Sequence, residues 1–359
     1  MSGRIVIGID EAGYGPSMGP LVIGGTAWWI PDRWTIEELG QALAVCFQPK
    51  PSFPRNDFLS IGDSKKILVG KYGWPSLSLA AEWLLWSSSG GADTDLSLSR
   101  LMATDWERLQ SVPWLCELVA GGSLPSHTYL NDGLDSEWGP HSRRSILATL
   151  GPRVTQHLAP TGVKLLGVQA RCIDEPEFNR LVSEAGNKSS VLSELSLQLA
   201  KSLAESCLAQ SPVEQPIEES SPNQPSRESP RCIDMFFDKH GGRNRYQAIV
   251  MNALDGTWVQ IGSESPRLST YQTQWRECNV AISFRVGGDS LLPSGAASVI
   301  AKWVRELSMA SLNSYWEKAC GKKIRPTAGY YVDACRFASE IESVATKLGI
   351  CRSQWWRTK

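Results

Sequence analysis

The stretch Arg4-Ile5-Val6-Ile7-Gly8-Ile9-Asp10-Glu11-Ala12-Gly13-Tyr14-Gly15-Pro16 decides how the rest of the chain is read. Arg4 to Ile9 is a short apolar run rich in β-branched residues, which predicts a buried strand and is too short for a helix. It ends in adjacent carboxylates, Asp10 and Glu11, and a buried strand ending in paired acids is costly unless a positive partner neutralises them. Gly13 and Gly15 let the backbone turn sharply and approach a ligand closely. Acids also cap ordinary turns, so both readings stay open on this stretch alone. Pro20 to Trp29 reads as a second apolar strand, and the two predict a hairpin.

Working outward, 359 residues with 42% hydrophobic and 20% charged composition suit a soluble globular chain, as one large domain with insertions or two modest ones. The formal net charge of −1 gives no global field for a polyanion, although binding needs only a local basic patch. The 9 cysteines are scattered and form no C-x-x-C pair, and the opening residues read as a strand, so no signal peptide is expected. Reduced thiols and a cytoplasmic location are therefore expected, not a disulfide framework or a zinc site. The 4 histidines lie too far apart for a helical zinc pair. No run reaches the roughly 18 apolar residues of a membrane span. The 15 tryptophans carry no chemistry and are expected as core and interface filler.

In chain order, Trp34 to Phe47 has helical spacing, and Gly62-Asp63-Ser64-Lys65-Lys66 reads as a helix cap with cations beside it. Residues from about 74 to 160, Trp-rich and helical, look like an insertion. Val163 to Ala170 predicts a strand, Ile173 to Asn179 follows it, and Ser190 to Ala209 predicts a long helix with a leucine stripe. The stretch 211–230, with five prolines and four glutamates against one arginine, predicts a disordered linker, placed at about 208–231. Ile233 to Asp238 is again an apolar run ending in an acid, followed by the basic Gly-rich Lys239-His240-Gly241-Gly242-Arg243. Strands are expected at about Thr257 to Ile261 and Val280 to Val286, the latter leading into Asp289. Pro293 to Glu306 opens a helix whose small residues allow close packing on a sheet, and 305–359 is expected as a C-terminal helical segment.

Asp10, Glu11, Asp238 and Asp289 thus each stand at the end of a predicted strand, the edge where ligands bind in open α/β sheets. Converging acids repel one another and take up protons unless cations intervene. Hard oxygen ligands select magnesium or manganese over zinc. Two such ions, roughly 3.5–4 Å apart, clamp the attacking and leaving oxygens of a phosphodiester displacement. Separate, unrelated turn caps are the plainer alternative, and they leave the repetition a coincidence. Asp234 competes with Asp238 as the third acid but would sit inside its strand.

Six collinear motifs carry a resemblance. Gly8 to Pro16 resembles the Asp-Glu-(Ala/Val)-Gly-Arg-Gly signature of ribonuclease HII, the type 2 ribonucleases H. Gly62 to Lys66 is similar to that family's Asn-Asp-Ser-Lys-Lys, and Ile173 to Asn179 to its Glu-Ile-Asp-x-x-Asn. Phe236-Phe237-Asp238 resembles the strand bearing its third metal-binding aspartate. Gly288-Asp289 with Ser294 to Lys302 resembles its Gly-Asp and small-residue helix, and Gly329-Tyr330 its Gly-Tyr-Pro element. The motifs span about half of the chain.

The resemblance implies one ribonuclease H-like α/β domain over 1–359, with a mixed central sheet flanked by helices. It implies an endonuclease using two Mg2+ or Mn2+ ions, held by Asp10, Glu11, Asp238 and Asp289. The enzyme would cut the RNA strand of RNA–DNA hybrids, or ribonucleotides embedded in DNA, leaving 3′-hydroxyl and 5′-phosphate ends. Gly13, Tyr14, Gly15 and Tyr330 would meet the ribose or the junction. Lys65, Lys66, Lys302 and Arg305 are candidate phosphate contacts, with solvated cations as the plain alternative. The chain is expected to act as a monomer away from membranes. It departs from the family at Tyr14, where the family carries Arg, or Lys in ribonuclease HIII, so a ring able to stack on a sugar or base replaces a phosphate-binding cation. That departure keeps two alternatives: a nuclease of the same fold acting on DNA, and a non-catalytic nucleic-acid-binding homologue.

Overall fold

The computed structural model describes residues 2–53, 57–90, 98–116, 118, 140–210 and 231–358. The opening strand β1 (Gly3–Ala12) pairs antiparallel with β2 (Leu21–Pro31), as the hairpin reading expects, in register from Gly3 opposite Pro31 to Ala12 opposite Val22. Two short strands, β3 (Phe47–Gln48) and β4 (Leu59–Ser60), form a separate small ladder. β5 (Lys164–Ile173) continues the main sheet outside β2. On the other side of β1 lie β6 (Arg231–Asp238), parallel to it, and then β9 (Cys278–Arg285), parallel to β6. β8 (Leu268–Trp275) and β7 (Gln260–Glu264) complete the edge antiparallel, giving the order β5-β2-β1-β6-β9-β8-β7. Because β1, β6 and β9 run in one direction, their C-terminal ends share one edge of the sheet.

The helices are α1 (Ile36–Ala42), α2 (Ser64–Ile67), α3 (Gly73–Ser88), α4 (Leu98–Leu101), α5 (Trp106–Gln110), α6 (Pro140–Leu158), α7 (Glu175–Ala185), α8 (Lys188–Gln210), α9 (Gln247–Ala253), α10 (Leu292–Cys320) and α11 (Tyr331–Lys347). Alternation along β1 sorts the core into two halves. Ile5, Ile7 and Ile9 join Leu192, Leu195, Leu199 and Leu203 of α8, the leucine stripe read from sequence. Val6 faces the other way, into the core built on α10. Across that face α10 lies almost on strand backbone. A Cβ at Gly8 would stand 2.1 Å from the Pro293 carbonyl carbon, and one at Gly24 2.3 Å from the Ala297 oxygen. The small residues of Ser294 to Ala301 are what permit this approach. The mixed α/β class, with a central sheet flanked by helices, is borne out.

Several boundaries differ from expectation. The helix expected over Trp34 to Phe47 is confined to Ile36–Ala42, after which Phe47 enters β3. α8 runs on to Gln210, and the linker stretch 211–230 lies outside the described residues. α10 begins at Leu292, so residue 305 falls in the middle of a helix. Within 74–160, α3 brings Trp83 into the same core as α10, and Trp28, Trp83, Trp114, Trp303, Trp316 and Trp355 are fully buried. No disulfide joins cysteines among the described residues, and no helix among them is long and apolar enough to cross a membrane.

Candidate active site

The parallel strands bring the sequence-predicted acids together. Asp10 and Glu11 lie in the last residues of β1, opposite Gly24 and Ile23 of β2. Asp238 ends β6 opposite Arg285, and Asp289 lies in the short 3-10 turn Gly288–Ser290 between β9 and α10. Asp238 ties the two strand ends together, since its Oδ1 accepts from the backbone N–H of Gly287 at 3.2 Å and of Lys239 at 2.9 Å. Asp234, the competing acid, is engaged elsewhere, accepting from Arg4 Nε at 2.7 Å.

The segment Gly62 to Lys66 lies alongside. A Cβ at Gly295 would stand 2.8 Å from the Gly62 Cα, and Ser298 Oγ meets Ser64 Oγ at 3.0 Å. This places Asp63 beside the cluster as a fifth carboxylate, which sequence reasoning took only for a cap. It does cap α2, accepting from Lys65 N at 3.0 Å, and it pairs with Lys66 at 3.4 Å.

The electrostatics show that the carboxylates feel one another. Burial pushes Asp10 up to about 7, the Asp289 and Asp238 charges adding to it while a hydrogen bond from Ser298 opposes. Burial, then the charges of Asp10 and Asp238, push Glu11 up to about 8 against the pull of Lys65. Asp289 is raised by burial and by Asp63 and Asp238, with Lys66 and Lys65 opposing. Without a cation, such a cluster stores protons at neutral pH.

The residues expected to meet the ribose gather at the same edge. Gly13 has φ +85°, a left-handed conformation that favours glycine, and Gly15 is exposed. Gly329 accepts from Ser17 N at 2.8 Å and Met18 N at 3.2 Å, which sets Tyr330 beside the turn, 60% exposed. The Tyr14 ring is half-buried beneath the Lys188 ammonium, 5.3 Å from its centroid. Its hydroxyl is raised by burial and by the Glu11 charge, while Arg243 opposes.

Two expectations for the cations need correction. Arg305 is not a surface phosphate contact: it is 2% exposed, donates to the Ala328 carbonyl at 3.0 Å and underlies Gly13, where a Cβ would stand 2.4 Å from its Nε. It sits mid-way along α10 where that helix packs inward, so its charge is spent on bracing the turn. Lys302 is held by Glu306 one turn on, at 2.6 Å, and is mostly covered. Lys65 and Lys66 remain exposed beside the acids.

Beneath the turn lies a network that sequence reasoning missed. Arg357, 2% exposed, donates to the carbonyl oxygens of Gly13 at 2.6 Å and Gly19 at 2.8 Å. Glu175 Oε1 accepts from Gly19 N at 2.7 Å. Burial pushes Arg357 down to about 9 against the Glu175 charge, and raises Glu175 despite Arg357. Asn179 latches the same tail, donating to the carbonyls of Trp356 at 2.9 Å and Ser353 at 3.2 Å. Pro176 and Asn179 within the Ile173 to Asn179 motif were visible; the distant arginine was not.

The donor set suits hard divalent cations: carboxylate oxygens with no thiolate or imidazole among them, and Asp10, Glu11 and Asp289 held toward the protonated form until something positive enters. Among the described residues no three such side chains already stand at ligand spacing. A cation would have to draw Asp10, Glu11, Asp238 and Asp289 inward.

No family model matches the chain, and neither does any curated protein. Among solved structures it is similar to the ribonuclease H2 from Pyrococcus horikoshii OT3, at 13% identity and a TM-score of 0.39, covering 98% of this chain and 92% of that one. It is similar to a chain of the PCNA:RNase HII complex from Archaeoglobus fulgidus, at 13% identity and a TM-score of 0.37, covering 99% and 94%. A third is Bst-RNase HIII in complex with Mn2+, at 11% identity and a TM-score of 0.36, covering 99% of this chain and 66% of that one. Those neighbours are ribonucleases H by name.

Proposed function

We propose that this chain is a metal-dependent endonuclease that cuts the RNA strand of RNA–DNA hybrids, or ribonucleotides embedded in DNA, leaving 3′-hydroxyl and 5′-phosphate ends. The observation that carries the reading is the convergence of Asp10, Glu11, Asp238 and Asp289 on one sheet edge, where burial and the neighbouring carboxylate charges raise Asp10, Glu11 and Asp289. A pure nucleic-acid binder gains nothing from anions facing phosphates. Two magnesium or manganese ions, when bound, supply the charge that keeps these acids ionised together and activate water for attack on phosphorus.

The chain's own residues do the rest. The Gly13–Gly15 turn, stiffened from below by Arg357 and Glu175, offers backbone to the ribose. Tyr330 lies beside it to stack at the junction. Lys65 and Lys66 face the acids from α2 and meet the phosphate backbone. One of the similar structures, Bst-RNase HIII, is a complex with Mn2+, a cation of the class these acids would take.

A second reading, a nuclease acting on DNA, is favoured by Tyr14, which leaves the turn without its own cation. The test compares a duplex carrying one ribonucleotide, a full RNA–DNA hybrid and an all-DNA duplex, each with Mg2+ or Mn2+. Cleavage confined to ribonucleotide-bearing substrates supports the proposal. Equal cutting of the all-DNA duplex moves the assignment to the second reading, and cutting of none removes both.

A further inference from the structure

Two cations outside the acid cluster have no role in the site so far. Lys188 opens α8, and Arg243 closes the Gly241-Gly242 loop that follows β6. The fold fixes them together: Arg243 Nη2 donates to Ser190 Oγ at 2.8 Å, and Ser189 Oγ donates to the His240 carbonyl at 3.3 Å. Between them sits Tyr14, its ring 5.3 Å from the Lys188 ammonium. Its hydroxyl lies 3.2 Å from where a Cβ on Gly241 would stand, and Gly241 has φ +56°, a left-handed conformation that favours glycine.

Most arginines near acids in this chain are paired; Arg180, for example, holds Glu177 and Glu184. Among the described residues, neither Lys188 nor Arg243 has a carboxylate partner within 4 Å. The Nε of Arg243 is moreover buried with no hydrogen-bond partner. A buried donor left unsatisfied leaves a place for an acceptor, and the charge of its guanidinium favours an anionic one.

We propose that Lys188 and Arg243, gathered around the Tyr14 ring, form a phosphate subsite that takes a backbone phosphodiester of the bound nucleic acid beside the acid cluster. The proposal rests on the nuclease reading above. It restores, from α8 and the loop after β6, the cation that the Gly13-Tyr14-Gly15 turn lacks. A phosphodiester has two non-bridging oxygens, one for the ammonium and one for the guanidinium, while Tyr14 packs its ring against the sugar.

The test is the salt dependence of binding. The full chain carrying Asp10→Asn, expected to bind without cutting, is titrated with a fluorescent single-ribonucleotide duplex in Mg2+ across a range of KCl. Each phosphate contact contributes about 0.9 to the slope of log K against log salt. Lys188→Gln with Arg243→Gln, which together release one phosphate, should lower that slope by about 0.9, and to the same extent on all-DNA duplex, since phosphate contacts do not read the sugar. Lys188→Arg should keep the slope, and a thermal melt shows that each variant is folded. An unchanged slope in the folded double variant, with wild-type cleavage intact, overturns the subsite and leaves the nuclease reading standing. A parent chain that neither binds nor cuts any of the duplexes overturns both.

Discussion

The guanidinium of Arg357 donates to the carbonyl of Gly13 at 2.6 Å, across 344 positions of sequence. The turn that follows the paired acids is thereby held by the far end of the described chain, and Glu175 balances the charge from below. Removing Arg357 leaves the Gly13 and Gly19 carbonyls without their charged donor, and each buried group left unsatisfied costs about 1–3 kcal/mol. Arg357→Ala should lose stability on that order in urea denaturation. Adding Glu175→Gln should recover part of the loss, giving a favourable coupling between the two changes. Simple additivity would show that the two do not act as a pair.

Close approach of α10 to β1 makes Gly8 intolerant of any side chain. Gly8→Ala puts a Cβ 2.1 Å from the Pro293 carbonyl carbon, so the helix start must shift and take Asp289 with it. Overpacking of this kind costs about 1–3 kcal/mol. Chemical denaturation should register that loss and cleavage should fall alongside it. A variant as stable and active as the parent would contradict the close packing.

The raised acids give metal binding a pH dependence. Asp10 at about 7 and Glu11 at about 8 lie above their usual values of 3.8 and 4.5, so the metal-free fold holds protons that the unfolded chain releases. Their contribution to stability is therefore full below pH ~4 and is lost as pH rises through about 7 to 8. A divalent cation replaces those protons. The rise in Tm on adding Mg2+ or Mn2+ to chelator-treated protein should be larger at pH 8.5 than at pH 5.5. Equal rises at both would show that these acids do not hold the ion.

Tyr330 is 60% exposed and caps α11 without a side-chain bond, so its loss should cost under about 0.5 kcal/mol. Tyr330→Ala should nonetheless lower kcat/KM on the ribonucleotide-bearing duplex by about tenfold, the order of one stacking contact. Tyr330→Phe should keep the ring and most of the activity.

Much of this was legible in the sequence because it was written locally. β1, β6 and the long helices α8 and α10 announce themselves through unbroken apolar runs and a leucine stripe, and the strand-end acids follow from where those runs stop. β8 went unread, since Leu268 to Trp275 mixes Ser, Thr and Gln with the buried Tyr271 and Trp275, and its polar half faces outward. Asp63 was read as a helix cap, which it is; only the packing of Gly62 on Gly295 makes it a neighbour of Asp289. Arg305 was misplaced because a helix pattern gives the face of a residue only when its neighbours are known. Nothing in local pattern links Arg357 to Glu175 and Gly13.

The central claim is that the four strand-end acids form a metal-dependent cutting site. Its most direct test is cleavage of a single-ribonucleotide duplex in Mg2+ and in Mn2+ by the parent chain and by Asp10→Asn and Asp238→Asn, with folding checked by thermal melts. The account predicts cutting at the ribonucleotide that is abolished by chelation and lost in both folded variants. Undiminished cutting by either variant, or cutting that survives chelation, would contradict it.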